Sequence, residues 1–249
     1  MGIVIAAAQS RSEAGDVRWN VAHHLRFARL AAERGVHLLI FPELSLTGYE
    51  LAIARANVVA PDSPELDALQ ELAVRARMTV VVGAPLRNER DELHIGALIL
   101  RADGSVSTHS KEYVHTTEEQ VFTSGPGGPV LAVGDATAGL AICRDVSFPE
   151  HAARASARGA TIYAAGALLV EEDYARKETL LPQYAREHGM AVLLANYSGE
   201  SGGYVSAGKS ALWSEDGQLV IASTGNEEAL VVGEKEDGAW SGAVLALAK

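Results

Sequence analysis

Two potentially reactive side chains stand where short apolar runs end. Glu43 follows the run at residues 38–42, and Cys143 follows the run at residues 139–142. Such runs are typical of buried β-strands, and in α/β sheets ligands bind at the carboxyl ends of the strands. The sequence therefore predicts that Glu43 and Cys143 meet in one crevice, where a carboxylate could act as the base for a thiol nucleophile. The plain alternatives are a buried structural thiol and a solvated strand end.

Lys111 is the third candidate. It follows the β-rich run at residues 106–109, and most lysines in such a position are only solvated charges. Its interest is chemical, because the oxyanion that forms when a thiolate attacks a carbonyl needs a fixed cation or N–H donors. A cysteine, a glutamate and a lysine together would supply the nucleophile, the base and the cation for nucleophilic hydrolysis.

The elements that would position these residues alternate between short β-rich runs and longer amphipathic stretches, which predicts an α/β protein. Asp-Gly pairs at residues 103–104 and 216–217 supply tight turns and predict antiparallel hairpins. Strands are predicted at residues 2–8, 36–41, 79–82, 94–100, 106–109, 130–133, 138–143, 161–165, 190–195, 209–213 and 218–222. Helices are predicted at residues 18–34, 66–77, 149–158 and 174–188. One continuous unit with mixed strand pairing results.

Composition limits the function classes. The 249 residues carry 21 basic and 32 acidic side chains, a formal charge of −11, and 48% of them are hydrophobic. That apolar content excludes a disordered chain and suffices for one large domain, residues 1–249. The acidic balance argues against nucleic acid or an anionic membrane as a partner. The lone cysteine cannot form an internal disulfide and the first apolar run is too short for a signal or a span, so we expect a cytoplasmic protein.

Two rival motifs and a possible metal site carry less weight. Residues 203–210 match the P-loop pattern, and residues 199–203 match the G-x-S-x-G nucleophile pattern. Both motifs need a helix directly afterwards, whereas only a short segment precedes the next Asp-Gly turn. The eight histidines lack the spacing of metal ligands, so no metal site is expected.

Three segments taken together resemble the signatures of the carbon–nitrogen hydrolase, or nitrilase, superfamily. They are Phe-Pro-Glu-Leu-Ser-Leu-Thr-Gly-Tyr at residues 41–49, Lys111 with Glu-Glu-Gln-Val-Phe-Thr-Ser-Gly at residues 118–125, and Ile-Cys-Arg-Asp-Val-Ser-Phe-Pro-Glu at residues 142–150. Their order and distances make the resemblance specific, and it covers most of residues 3–222. It implies an α/β fold of the nitrilase type, a four-layer αββα sandwich with two mixed sheets face to face and helices outside.

The resemblance also implies catalytic roles. Cys143 would be the nucleophile and Glu43 the general base and acid. Lys111 and the backbone N–H of Arg144 would stabilise the tetrahedral intermediate. A thiol beside Lys111 is expected to be held partly as the thiolate.

Two further residues are expected to position the substrate. Glu119 is preferred to Glu118, because it lies eight residues after Lys111 and three before Phe122, as in amidase members of the family. Tyr113 stands where several carbamoyl-hydrolysing members have histidine. The residue at position 113 therefore bears on the substrate class more than on the reaction type.

The expected function is hydrolysis of a non-peptide C–N bond in a small amide or carbamoyl compound through a cysteinyl acyl-enzyme, with no metal or organic cofactor. A nitrile or acyl-transfer substrate on the same fold stays open, and so does a non-catalytic binding protein, since fold alone does not decide function. The resemblance also implies a homodimer or a higher homo-oligomer. Its contacts are expected to use the C-terminal segment, residues 225–249, in which residues 229–233 and 243–248 are apolar.

Overall fold

The computed structural model of the protein describes residues 2–247. The first half contains strands β1 (Ile3–Gln9), β2 (Leu38–Ile40), β3 (Thr79–Arg87), β4 (Leu93–Leu100) and β5 (Val106–Ser110), with helices α1 (Val17–Glu33) and α2 (Asp67–Ala76). The second half contains β6 (Leu131–Val133), β7 (Ala136–Ile142), α3 (Pro149–Ala157), β8 (Ile162–Ala167), α4 (Glu171–His188), β9 (Ala191–Asn196), β10 (Glu200–Ser201), β11 (Tyr204–Val205), β12 (Ala211–Trp213), β13 (Leu219–Ala222), β14 (Ala229–Glu236) and β15 (Ala239–Ala246). Short 3₁₀ helices lie at Leu51–Ala56, Pro64–Leu66 and Cys143–Ser147.

The strands form two large sheets and one small hairpin. One sheet has seven strands in the order β15-β14-β1-β2-β3-β4-β5, and the other has six in the order β13-β12-β9-β8-β7-β6. The central strands β1, β2 and β3 run parallel, as do β7, β8 and β9. The hairpin pairs β10 with β11. Glu43 follows β2 and Cys143 follows β7, so each lies beyond the carboxyl end of a parallel strand, as predicted.

Three apolar cores separate four layers. The central core lies between the two sheets and contains Ile5 and Leu38 from one sheet and Leu140 from the other. Ala6 and Leu39 pack instead with α1 and α2, because successive side chains of a strand point to opposite faces. The third core joins the six-stranded sheet to α3 and α4. The order of layers is helix, sheet, sheet, helix, which confirms the predicted fold class.

The C-terminal strands are the main departure from the sequence-based prediction. β14 lies between β15 and β1 and pairs antiparallel with β1 over the whole length of β1. Leu230 and Val231 are completely buried in this sheet. The expected role of residues 229–233 in subunit contacts is therefore corrected, because their apolar side chains pack inside the chain. β15 forms the sheet edge and exposes Val244, while residues 248 and 249 lie outside the described residues.

The rival motifs lie in segments that cannot support their chemistry. Residues 203–210 lead into strand β12, and Ser201 lies in the two-residue strand β10, so neither motif is followed by the helix that it needs. In the described part of the chain, no group of three or more His, Cys, Asp or Glu side chains could hold a metal ion. Among the helices of residues 2–247, none has the length and apolar character to cross a membrane.

Candidate active site

The turn that carries Glu43 packs against both sheets. A Cβ on Gly83 in β3 would lie 2.3 Å from the backbone nitrogen of Leu44. A Cβ on Gly166 in β8 would lie 2.5 Å from the carbonyl oxygen of Phe41. Only glycine at these two positions leaves room for the turn. The Glu43 side chain is thereby held between the sheets and is only 2% exposed.

Lys111 follows β5 and is held by backbone hydrogen bonds on both sides. Its N–H donates to the carbonyl of Ile95 at 2.8 Å, and its carbonyl accepts from the N–H of Gly125 at 2.7 Å. The side chain is completely buried. Its ammonium donates to Oε1 of Glu43 at 2.7 Å and to the two oxygens of Glu118 at 2.8 and 2.9 Å. A buried cation between two carboxylates thus forms the centre of the site.

Cys143 follows β7 and begins a short 3₁₀ helix. Its φ is +45°, a conformation that costs a non-glycine residue on the order of 1–3 kcal/mol and that persists only where surrounding contacts impose it. Its Sγ lies 3.9 Å from the carbonyl oxygen of Leu168. The N–H of Arg144 is in the first turn of the helix, where N–H groups have no partner inside the helix. This N–H is therefore available to an oxyanion beside the thiol.

Asp145 ties the turn after Cys143 to the segment after Lys111. One carboxylate oxygen accepts hydrogen bonds from the backbone N–H groups of Glu112 and Tyr113 at 3.1 and 2.9 Å. The other accepts from the N–H of the residue before the cysteine at 3.0 Å. Burial raises the pKa of Asp145 to about 6. Sequence reasoning missed this residue, and the only signal for it was an acid two positions after the cysteine.

Burial dominates the titration of the reactive groups. It raises the pKa of Glu43 to about 7, although the charge of Lys111 acts in the opposite direction. It also raises the pKa of Cys143 well above its usual value, and the Glu43 charge adds to that shift. Burial alone would lower the pKa of Lys111, but the neighbouring negative groups, Glu43 first among them, outweigh it and raise the pKa. These shifts favour a neutral thiol and a protonated ammonium, whereas the sequence led us to expect a partly ionised cysteine.

The structure reverses the choice between Glu118 and Glu119. Glu118 is 1% exposed, whereas Glu119 lies at the surface. The Glu118 carboxylate accepts from the hydroxyl of Tyr49 and from the N–H of His115, both at 2.6 Å, in addition to Lys111. A carboxylate has about four acceptor positions, so these partners occupy Glu118 completely. The expectation that Glu119 reaches the substrate is corrected, and Glu118 is the acid that holds Lys111 and Tyr49 in place.

Tyr113 does not lie where a substrate-positioning residue was expected. Its ring stacks on Phe148 with 3.8 Å between centroids. Its hydroxyl lies 3.5 Å from the carboxylate of Glu150 and 3.5 Å from the guanidinium of Arg154. Both partners belong to α3, and Tyr113 is not among the residues that line the cavity at Cys143. The expected role is therefore corrected: Tyr113 packs its segment against the outer helix.

A cavity of about 100 Å³ adjoins the thiol of Cys143. Tyr49 and Glu118 form its polar side. Its remaining lining comprises apolar side chains and groups at the mouth, namely Leu168, Val170, Tyr204, His115, Thr117, Arg144 and Asp173. A small cavity of mixed character suits a compact ligand with one polar reacting group.

One carboxylate oxygen of the site has no partner. Oε2 of Glu43 is buried and has no partner of full hydrogen-bond geometry among residues 2–247, and the side chain that interacts with this carboxylate besides Lys111 is the Cys143 thiol. An unpaired buried acceptor is costly, and here it lies in the same buried group of side chains as the Cys143 thiol. The arrangement can therefore move a proton from sulfur to carboxylate while Lys111 supplies positive charge.

The sequence is similar to those of known carbon-nitrogen hydrolases. Residues 4–236 match the family model described as carbon-nitrogen hydrolase. A protein of Pseudomonas protegens named "Hydrolase in pqqF 5'region" is 27% identical over 79% of this chain and 70% of its own length. A nitrilase of Pyrococcus abyssi is 29% identical over 82% of this chain and 78% of its own length.

The fold is similar to that of an amidase from Nesterenkonia sp. AN1. One mutant form matches with a TM-score of 0.85 and 28% identity, and the match covers 94% of this chain and 91% of that chain. That structure shows covalent addition of the acetamide moiety of fluoroacetamide at its active-site cysteine. Another mutant form of the same amidase is in complex with butyramide.

Proposed function

This chain belongs to the carbon-nitrogen hydrolase family, as its three signature segments predict, and from that premise we propose that it hydrolyses the C–N bond of a small amide through a cysteinyl acyl-enzyme. The observation that carries the proposal is the buried contact of 2.7 Å between Nζ of Lys111 and Oε1 of Glu43. The same two groups are the charged side chains that most affect the pKa of the one cysteine of the chain, which supports their joint role. These three side chains are the proposed catalytic residues.

The first step forms the tetrahedral intermediate that precedes the acyl-enzyme. The thiol of Cys143 gives its proton to Glu43, and the sulfur attacks the carbonyl carbon of the amide. As the C–S bond forms, the carbonyl π electrons move to oxygen, where Lys111 and the N–H of Arg144 stabilise the charge. Glu43 suits this transfer, because its Oε2 has no competing partner among the described residues and its pKa of about 7 is close to neutral pH.

The second step breaks the C–N bond. Glu43 returns its proton to the departing nitrogen, so that a primary amide releases ammonia and leaves a thioester on Cys143. A water molecule then gives a proton to Glu43 and attacks the thioester carbon. The carboxylic acid leaves and the thiol is restored. One carboxylate therefore serves as base and acid in both halves of the reaction.

Glu118 supports the reaction through Lys111. Its carboxylate accepts two hydrogen bonds from the Lys111 ammonium and one from Tyr49. Despite its burial, Lys111 keeps its proton because the carboxylates around it raise its pKa. The cation stays in one position while charge develops on the substrate oxygen, which is the condition for effective electrostatic stabilisation.

Other substrates of the same nucleophile are the alternatives. A nitrile or a carbamoyl compound would also accept the sulfur at carbon, and an amine could replace water in the second step. The similarity to a nitrilase keeps the nitrile in consideration. An amide is favoured, because the similar amidase carries an amide-derived group on its active-site cysteine.

A substrate panel tests the proposed function. Release of ammonia is measured with primary amides, carbamoyl compounds and nitriles, for the natural protein and for Cys143→Ala. We expect the natural protein to hydrolyse amides, and the variant, which lacks the nucleophile, to release no ammonia. An absence of both turnover and acyl adduct for every compound would contradict the proposal and favour a non-catalytic binding protein.

We also propose that the protein acts in the cytoplasm as one catalytic domain, residues 1–249, assembled as a homodimer or a larger homo-oligomer. Edge strand β15 supports the assembly, because its outer side has unpaired backbone groups that can bind another chain and it exposes Val244. Light scattering at micromolar concentration should give at least twice the chain mass of 26.2 kDa. A single species of one chain would contradict this.

A further inference from the structure

His24 is a completely buried histidine in the middle of α1 that has no part in the proposed reaction steps. Its Nδ1 lies 2.5 Å from the carbonyl oxygen of Asn20, one turn earlier in the helix. Its Nε2 lies 3.0 Å from the hydroxyl of Ser45, and its ring stacks on that of Phe41 with 3.9 Å between centroids. Phe41 and Ser45 stand two residues before and two residues after Glu43. The histidine therefore contacts the turn on both sides of the residue that carries the catalytic carboxylate.

The hydrogen bonds of this histidine fit its neutral form with the proton on Nδ1. A carbonyl oxygen can only accept, so Nδ1 donates to Asn20. Nε2 then accepts from the hydroxyl of Ser45, and the hydroxyl oxygen accepts in turn from the backbone N–H of Gly83 at 3.1 Å. Burial lowers the pKa of His24 to about 3, so the ring is neutral at neutral pH. Three hydrogen bonds thus run in one direction from β3 to α1.

The same two elements also bind the backbone of the Glu43 turn. Gly83 is one of the glycines that leave room for this turn. Its carbonyl accepts from the backbone N–H of Leu46 at 2.8 Å. From the other side, the amide of Asn20 donates to the carbonyl of Leu46 at 2.9 Å. The turn is therefore fixed between α1 and β3, and the side chain of Ser45 joins the two elements.

The Glu43 carboxylate depends on this turn for its position. Its Oε1 accepts from the ammonium of Lys111 at 2.7 Å, and its Oε2 has no partner of full hydrogen-bond geometry among residues 2–247. A general base must lie within hydrogen-bond reach of the proton that it takes. A misplacement of about 1 Å can cost about a hundredfold in rate, even when its origin is far from the reacting atoms.

We infer that His24 is a positioning residue for Glu43. Through the hydroxyl and the aromatic ring that it contacts, it holds the turn so that the carboxylate stays within reach of the Cys143 proton. This inference rests on the proposed function, in which Glu43 is the base. His24, Phe41 and Ser45 are not among the residues that line the cavity at Cys143. The effect should therefore appear in kcat and not in KM.

Two equivalent substitutions in α1 test the inference. His24→Phe keeps an aromatic ring against Phe41 but removes the acceptor of the Ser45 hydroxyl. His23→Phe is the matched control, because His23 is also buried but binds Glu228 at 2.5 Å and not the turn. We expect His24→Phe to lower kcat for a neutral amide by about tenfold or more, with KM changed by less than about twofold. His23→Phe should leave both nearly unchanged, and circular dichroism checks that each variant is folded.

A double variant tests the route through Ser45. Ser45→Ala removes the same hydrogen bond from its other end and should also lower kcat. In His24→Phe/Ser45→Ala the loss should be smaller than the product of the two single losses, because both changes break one contact. His23→Phe combined with Ser45→Ala should give the product. A full product for the first pair would overturn the coupling of His24 to the turn through this hydroxyl.

The rate at which iodoacetamide labels Cys143 tests the position of Glu43 without turnover. Labelling needs a base that removes the thiol proton, so His24→Phe should slow labelling of the folded protein and His23→Phe should not. Ser45→Ala serves for the same comparison if His24→Phe does not fold. Slower labelling of the variant, in a protein that hydrolyses no amide, would support the positioning role and contradict the amidase proposal. Unchanged kcat and labelling, or equal losses in the two histidine variants, would overturn the inference, and hydrolysis of amides in that case would leave the amidase proposal intact.

Discussion

The carboxylate of Asp145 accepts a hydrogen bond from the backbone N–H of Tyr113 at 2.9 Å. Two further backbone N–H groups bind the same carboxylate, one in the Lys111 segment and one in the strand that ends before Cys143. The placement of Cys143 relative to Lys111 therefore depends on Asp145, which binds the backbone next to each of them. Asp145 is a positioning residue of the site.

Asp145→Asn should weaken both the fold and the reaction. Asparagine has one acceptor oxygen fewer, so at least one buried N–H group loses its partner, at a cost of about 1–3 kcal/mol in the free energy of unfolding. Because the thiol and the ammonium would shift relative to each other, kcat should fall by about tenfold or more. Urea unfolding and steady-state kinetics measure the two effects. Asp135→Asn, an exposed aspartate in the turn after β6, is the control, and equal behaviour of the two variants would contradict the role.

Glu118→Gln should impair turnover far more than Glu119→Gln. The first substitution removes a charge from the Lys111 ammonium inside the protein, and losing one partner of a buried ion pair costs about 3–5 kcal/mol. The second changes an exposed side chain, which usually alters stability by less than about 0.5 kcal/mol. The values of kcat of the two variants, measured with one amide, test this difference. Similar, mild losses would show that Glu118 does not support the reaction.

The sequence predicted that Glu43 and Cys143 meet because each follows a β-rich run, and Lys111 joined them through its chemistry and the family resemblance. The strands that carry the first two belong to different sheets, and Lys111 follows the antiparallel strand β5. The spacing favoured Glu119 of the 118–119 pair, whereas Glu118 turns inward. Hydrogen bonds between His115 and Glu118 close the turn there, and a shift of one residue within a turn leaves the spacing of the motif nearly unchanged. Local spacing therefore identified the segment and not the side chain.

Two other misses arose from contacts distant in the sequence. Tyr113 faces α3, because Asp145 holds its backbone and Phe148 its ring. Strand β14 pairs with β1 across almost the whole chain, and its partner β15 is rich in small residues that give little periodic signal. Such pairing is decided by burial in the finished sheet and not by local propensity.

The dependence of kcat/KM on pH should show an acid limb near neutrality. Glu43 must be ionised to accept the thiol proton, and burial raises its pKa from 4.5 to about 7. The active fraction therefore falls as the pH falls through 7, by about tenfold per unit below that point. The alkaline limb should lie well above pH 9.0, because burial raises the pKa of Cys143 beyond that value. Both limbs belong to the coupled set of groups and not to single residues.

A profile measured with a neutral amide between pH 5 and 10 checks this dependence. Glu43→Gln has no titrating base, so its residual activity should lack the acid limb. Glu119→Gln should keep the limb of the natural protein, because the substituted side chain is exposed. An acid limb near 4.5, the ordinary value for glutamate, would show that burial does not control Glu43.

Labelling of Cys143 distinguishes a nucleophile from a buried structural thiol. The chain has one cysteine, so iodoacetamide should add one adduct, and activity should disappear in step with labelling. The thiol is partly buried and its pKa is raised, so it reacts well only if a neighbouring base removes its proton. Glu43→Gln should therefore slow labelling of the folded protein strongly, whereas Glu119→Gln should not, and in denaturant all three proteins should react alike. A slow amide substrate should leave an acyl mass on the same residue. Labelling that is unaffected by Glu43→Gln, or amidase activity retained in Cys143→Ala, would end the covalent mechanism.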